Sequence, residues 1–326
     1  GAGSYKGDIT NVWNNIQIFL KDDLISTIQQ QEYYSSRPPL VYILHKILNP
    51  FIGNIGSFRV SVFVISLTLP ILFYFCLKQK FNKEDNLLLL LIASIICLSP
   101  YYRTTSFWGL EENFGLIFIL LTFLCLDSFL KSEIKDGTKV HLLFFLTIFL
   151  SSCCIYFDQK LAIITIICFI KIITSHNLLK FKLLSIFYYF LFSLPYIYLM
   201  TLWGGLIPIG LSEGGNLGDK IFLIHIGYSS TIIAFYLLPL LLFKEKNIMI
   251  LVKNFFFDKK NYYLIFLSVI YIICLIVFND FSQQSISGKG FIHKISLILF
   301  DTNFPRMIFV YIAFFISWII ILIYVD

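Results

Sequence analysis

This sequence predicts an all-α integral membrane protein with about nine transmembrane helices and amphipathic helices in an external loop. Three observations carry that reading. Aliphatic, aromatic and sulfur residues make up 58% of the 326 residues and charged residues 13%, against about 25% charged in an ordinary soluble domain. Mean hydropathy is +0.83. Apolar runs near the roughly 20 residues needed to cross a bilayer recur between short polar loops. The chain is expected to form one domain over 1–326, with an external loop over 1–56 and a transmembrane bundle over 57–325.

The first stretch, Gly1 to Leu44, is the longest that is not membrane-spanning. From Ile9, apolar residues recur at Val12, Trp13, Ile16, Phe19 and Leu20, close to helical period. Asn11, Asn14, Asn15 and Gln17 take the other face, which suits a helix lying flat in the membrane interface. Asp8 stands one residue before the run, where an acid is a standard N-cap; it is also a candidate catalytic carboxylate. In Arg37-Pro38-Pro39-Leu40 two prolines fix the backbone and give Arg37 a defined direction. Arg37 then either binds a lipid phosphate or snorkels to the interface. Leu40–Phe51 is apolar but too short to span and reads as interfacial or re-entrant.

The expected spans are 57–78, 86–99, 113–131, 140–156, 160–175, 181–203, 221–243, 261–279 and 305–325. Every second loop is rich in Lys, from Lys78, Lys80 and Lys83 to Lys259 and Lys260, which makes those loops cytoplasmic. The net charge of +6 is thereby a topology signal, and no basic-aromatic cluster points to nucleic acid. The seven cysteines all fall inside apolar runs and read as small core residues.

The opposite loops look like a working surface. Tyr101 to Asn113 holds Arg103, Trp108 and the adjacent carboxylates Glu111 and Glu112. Acids at a helix start compensate its dipole by about 0.3–1 kcal/mol each, which accounts for one Glu more easily than for two beside an Arg and a Trp at membrane depth. Asp158-Gln159-Lys160 is a tight turn on the same side, readable as a solvated turn or as part of a site. Trp203 leads into a Gly-rich loop that ends near His225, itself more often a structural residue than a functional one. Arg306 is a late candidate phosphate partner.

In order along the chain, Asp8, the helix Ile9–Leu20, Arg37-Pro38-Pro39-Leu40-Val41-Tyr42, Phe58-Arg59, Leu98-Ser99-Pro100 and the acids that follow resemble the GT-C superfamily of membrane glycosyltransferases. The Pro-Pro-Leu segment is similar to that of the protein mannosyltransferase and aminoarabinose transferase branches. Trp203-Gly204-Gly205 and Asp158-Gln159-Lys160 are more similar to the dolichyl-phosphate-glucose glucosyltransferase branch. The resemblance implies a helical span before the first external loop, so residues 1–326 are expected to lack the first family helix. It implies an inverting transfer of a sugar from a polyprenyl-phosphate-linked donor to a hydroxyl on a glycan, lipid or protein acceptor, at the external face of a bacterial cytoplasmic membrane. Asp8 would be the base, with Glu111 or Glu112 the second acidic site, orienting the acceptor or holding a divalent cation (Mg or Mn). Arg37, Arg103 and Arg306 would meet the phosphate, and Trp108, Asp158, Gln159, Trp203 and His225 would line the substrate site. The rival readings are a non-enzymatic transporter or lipid-linked-sugar flippase, and an O-antigen-type polymerase.

Overall fold

A computed structural model describes residues 2–30, 32, 33, 35, 37–132, 137–175, 179–205, 233, 253, 256–278, 298–300 and 304–325. Apart from residue 233, the expected span 221–243 lies outside these residues, as do His225 and the side chains of Asp8 and Arg306. The described residues form helices and connecting turns with no strand. The chain's contacts gather into two compact units, Gly1–Leu217 and Gly218–Asp326.

The first unit opens with α1 (Ala2–Lys21), α2 (Leu24–Gln29) and α3 (Leu40–Leu48). Helix α1 begins well before Asp8, so Asp8 sits inside the helix rather than capping it. The apolar stripe expected to rest on lipid is instead used up on protein. Ile9, Val12, Ile16 and Phe19 are buried in one core with Tyr33, Tyr42 and Phe58. Asp23 accepts from the backbone N–H of Ile25 at 3.1 Å and so starts α2.

Helices α4 (Ile55–Ser66) and α5 (Thr68–Lys80) together make a 26-residue apolar span. The break at Leu67 follows from Pro70, whose ring has no N–H to give and crowds the carbonyl of Ser66. Then come α6 (Asn86–Ser94), a 3₁₀ turn over Ile95–Leu98 and α7 (Pro100–Trp108). The expected loop over 100–112 is therefore mostly helix. Ser99 accepts from the Tyr102 N–H at 3.4 Å, and Pro100 occupies the first helical position, where its missing N–H costs nothing. Gly109, at φ 68, ends α7 in the left-handed conformation. A Cβ there would also meet Phe58 Cζ at 2.9 Å.

Helices α8 (Glu111–Lys131), α9 (Gly137–Cys154) and α11 (Leu179–Trp203) are each long and apolar enough to cross a membrane, while α10 (Ala162–Ser175) is shorter. Four such spans are present among the described residues, or five if α6 and α7, bent by 67°, count as one. That fits a multi-pass membrane protein. In α11, Pro195 interrupts the helical ladder, and the Tyr156 hydroxyl bridges the gap by accepting from Tyr196 N–H at 3.1 Å and donating to Phe192 O at 2.5 Å. The second unit contributes α12 (Tyr262–Phe278) and α13 (Phe304–Val325), joined by stacking of Tyr271 on Phe314.

Candidate functional site

The site is built where α1, α3 and α8 meet the turn after α9. Glu111 and Glu112 open α8, with the preceding Leu110 giving no side-chain cap. Their carboxylates face the guanidinium of Arg37. Nη1 donates to Glu111 Oε2 at 2.6 Å, Nη2 donates to Glu112 Oε1, and Nε lies 3.4 Å from Asp158 Oδ2. Side-chain exposure is 3% at Glu111, 9% at Asp158, 24% at Arg37 and 35% at Glu112, so the cluster grades from sealed to open. Burial opposes the Arg37 charge, but Glu111, Glu112 and Asp158 more than offset it and hold the guanidinium above its ordinary pKa.

Each member of the cluster is positioned by something else. Tyr42 donates to Glu111 Oε1 at 2.6 Å and accepts from Asn15 Nδ2 at 3.1 Å, which ties α1, α3 and α8 together. Burial, then the Glu111 charge, raises the pKa of the Tyr42 phenol and keeps it a donor. Tyr33 donates to the Arg37 carbonyl at 2.7 Å and fixes the backbone before the two prolines. Asp158 uses its other oxygen to accept from Lys160 N–H at 2.9 Å. Beside that turn, Gly115 leaves room on α8 for the Leu161 side chain; a Cβ there would meet Leu161 Cδ1 unless that side chain turned. One turn into α8's start, the buried side chain of Asn113 donates to Ser66 and Ser106 at 3.1 and 2.9 Å and accepts from Thr105 at 2.7 Å. That network locks α4, α7 and α8.

The site residues expected from the sequence fall into three groups. Arg37, Glu111, Glu112 and Asp158 come together. Trp203 lies beside them as a support: it is buried, its indole donates to Ile28 O at 3.3 Å and its ring stacks on Tyr33. Gln159 is half-buried in the 3₁₀ turn that follows Asp158, and Trp108 packs on the shared core. Arg103 is exposed on α7 and is not among the cluster's ion pairs. Helix α1 carries Asp8 two turns before Asn15, and α13 carries Arg306. No known protein family, curated protein or solved structure matches this chain.

What the arrangement can do follows from its charge. Three carboxylates face one guanidinium, a formal excess of two negative charges. Arg37 is therefore occupied, and meets a phosphate only by exchanging one of these partners. Glu111 has both oxygens engaged and Glu112 one, so a divalent cation would have to displace Arg37; among the described residues no group of three or more acidic, His or Cys side chains is arranged to hold a metal. The one carboxylate oxygen of the cluster left over is Glu112 Oε2, itself buried and without a hydrogen-bond partner among the described residues, although the side chain as a whole is one-third exposed. That oxygen can take a proton. A turn further along α3 and α8 the chemistry changes: His45, Phe114 and the first turns of α4 line an apolar cavity of about 740 Å³.

Proposed function

We propose that this chain is a membrane glycosyltransferase of the GT-C kind, moving a sugar from a polyprenyl-phosphate-linked donor to an acceptor hydroxyl with inversion. The observation that supports it best is the juxtaposition of a graded carboxylate–arginine cluster, at the head of span α8, with an apolar cavity one turn away. An amphiphilic substrate needs both. Such a transfer needs a base for the acceptor proton. Glu112 supplies the free oxygen, and Asp8, carried by α1, is the family-derived candidate. Arg37 holds the carboxylates apart and orients them, and exchanges a carboxylate for the departing phosphate. The nine-span bundle, the external location of the site and any Mg or Mn requirement belong to this reading.

Charges in the four described spans lie within five residues of an end, as at Arg59, Lys78 and Lys80, Glu111 and Glu112, or Asp127 and Lys131. A transporter or flippase would be expected to carry charge mid-span. The test is sugar transfer by purified protein from radiolabelled polyprenyl-phosphate sugar. Glu112→Gln and Asp8→Asn should each lower the rate by roughly 10²–10⁴-fold if the residue is the base, with insertion unchanged. Translocation of the labelled lipid without release of sugar would replace this reading by the flippase. Full activity of both variants would remove carboxylate catalysis from it.

A further inference from the structure

At the other end of α8 from the charged cluster lies a smaller pocket of about 300 Å³, formed between α5, α8 and α10. Asp127, which lines it, stands about 24 Å beyond Glu111 along the helix, at 1.5 Å per residue. The floor is held by bonds between α5 and α8. Gln79 Nε2 donates to Ser128 Oγ at 2.9 Å and to Leu124 O at 3.3 Å, and Cys76 Sγ donates to Leu120 O at 3.5 Å. The volume is at the lower end of the roughly 300–1,000 Å³ of ligand sites.

The walls say what fits. Lys80 is the last residue of α5, and Lys171 is the only charged residue of α10. Both are exposed, both line the pocket, and neither has an ion-pair partner among the described residues. The lining carboxylate, Asp127, is already taken. Its Oδ2 lies 2.6 Å from Lys131 Nζ, a close ion pair not aligned as a hydrogen bond, and Lys131 also donates to Gln79 O at 3.0 Å. The pocket is left with a formal surplus of two positive charges. The C-terminal carbonyls of α5, α8 and α10 reduce that surplus by about half a charge each at most and do not remove it. Lysines at this end also set topology, but topology does not require two of them, from separate helices, to flank one concavity. One turn back along α8 and α10 from Asp127 and Lys171, Phe123 and Ile167 make the wall apolar.

We propose that this pocket binds a phosphate group between the ammonium ends of Lys80 and Lys171, with the organic part of the ester against Phe123 and Ile167. Lysines meet a phosphate as mobile point charges, and both of these are exposed and free to turn toward one. The apolar wall favours a phosphate carried by a lipid, as in other basic pockets between membrane helices. The inference is independent of sugar transfer and of the cluster around Arg37.

The test is native mass spectrometry of the whole protein in dodecyl maltoside, titrated with phosphatidylglycerol, phosphatidylcholine or inorganic phosphate. Phosphatidylglycerol, a net anion, should bind more tightly than zwitterionic phosphatidylcholine by roughly tenfold. Lys80→Gln combined with Lys171→Gln should lower phosphatidylglycerol affinity by about 25-fold, about fivefold for each lysine. Lys78→Gln combined with Lys180→Gln removes two exposed lysines that do not line the pocket and should change it by less than about threefold. Inorganic phosphate should displace the lipid only in large excess; displacement at equal concentration would keep the phosphate site and make its ligand a free phosphate. Equal binding of the two lipids by the unmodified protein overturns the proposal, and that comparison needs no variant to fold. An equal loss in the two double variants overturns it as well, because the attraction would then belong to the whole lysine-rich end of the bundle.

Discussion

Replacing Arg37 by Met removes the cation that three carboxylates share and keeps most of the side chain's apolar length. Glu111, at 3% exposure, and Asp158, at 9%, would be left with uncompensated charge, while Glu112, at 35%, can turn to water. Breaking a buried ion pair from one side costs about 3–5 kcal/mol. The partial exposure of Arg37, 24%, brings the expected loss toward the lower end, about 3 kcal/mol. Adding Glu111→Gln to Arg37→Met removes the most deeply buried of the three charges and leaves Oε1 able to accept from Tyr42. The double variant should therefore be more stable than the single one by about 1–2 kcal/mol. Unfolding by SDS in mixed micelles, followed by tryptophan fluorescence, measures both. An Arg37→Met loss below about 1 kcal/mol, or a double variant no better than the single, would mean that the cluster is solvated and that its sealed-to-open gradient is not real.

Three further outcomes are expected. Tyr42→Phe leaves Asn15 Nδ2 and Glu111 Oε1 buried without each other's bridge and should cost about 1–3 kcal/mol by the same unfolding assay. Gly115→Ala drives a methyl into the end of the Leu161 side chain; it should cost about 1 kcal/mol, the low end for overpacking because that side chain can turn, and be rescued in part by Leu161→Ala. The third concerns pH. His45 has a folded pKa lowered to about 4 from 6.5, so its contribution is present above the unfolded pKa and is lost as pH falls from about 6.5 through 4. At full strength that is about 3 kcal/mol, and a melting series in detergent from pH 7 to pH 4 should show a slope that His45→Phe flattens.

Helices were legible in the sequence wherever the apolar period was long: α4–α5, α8, α9 and α11 stand within a few residues of their expected bounds. The expected loop over 100–112 was not, because its residues are polar and aromatic on all sides. Its helicity is set instead by local signals, the Ser99-Pro100 start and the Gly109 end. The role of α1 is ambiguous in the sequence for a different reason. A stripe of Ile9, Val12, Ile16 and Phe19 fits a lipid surface and a protein core equally well, and only the packed tyrosines of 33 and 42 decide between them. At the site, Arg37, Glu111, Glu112 and Asp158 were found as charges out of place in an apolar chain. Nothing in the sequence marks Tyr42, Asn15 and Asn113 as partners of one another's helices, since a neutral polar residue on a helix does not announce whether it bonds across to another helix. His45 and Asn49 are silent in the sequence on the same ground. The spacing of four between them was the available signal, because it puts both on one helical face.

The position of the cluster constrains its purpose more than its composition does. A helix N-terminus stabilises one carboxylate by about 0.3–1 kcal/mol, and a second acid beside it repels the first. Stability alone would have been served by apolar residues of similar volume in place of Arg37 and its buried partners, a replacement that is often neutral or favourable. Here the chain holds four charged groups from three separated segments against one another, and supports them with Tyr33, Tyr42 and Asn15. It does so one turn from a cavity whose walls carry no charge. A polar end and an oily end that close together select molecules built the same way. Each end keeps one sealed polar atom without a partner among the described residues, Glu112 Oε2 in the charged cluster and His45 Nε2 beside the oily cavity, so neither is satisfied by the packing alone.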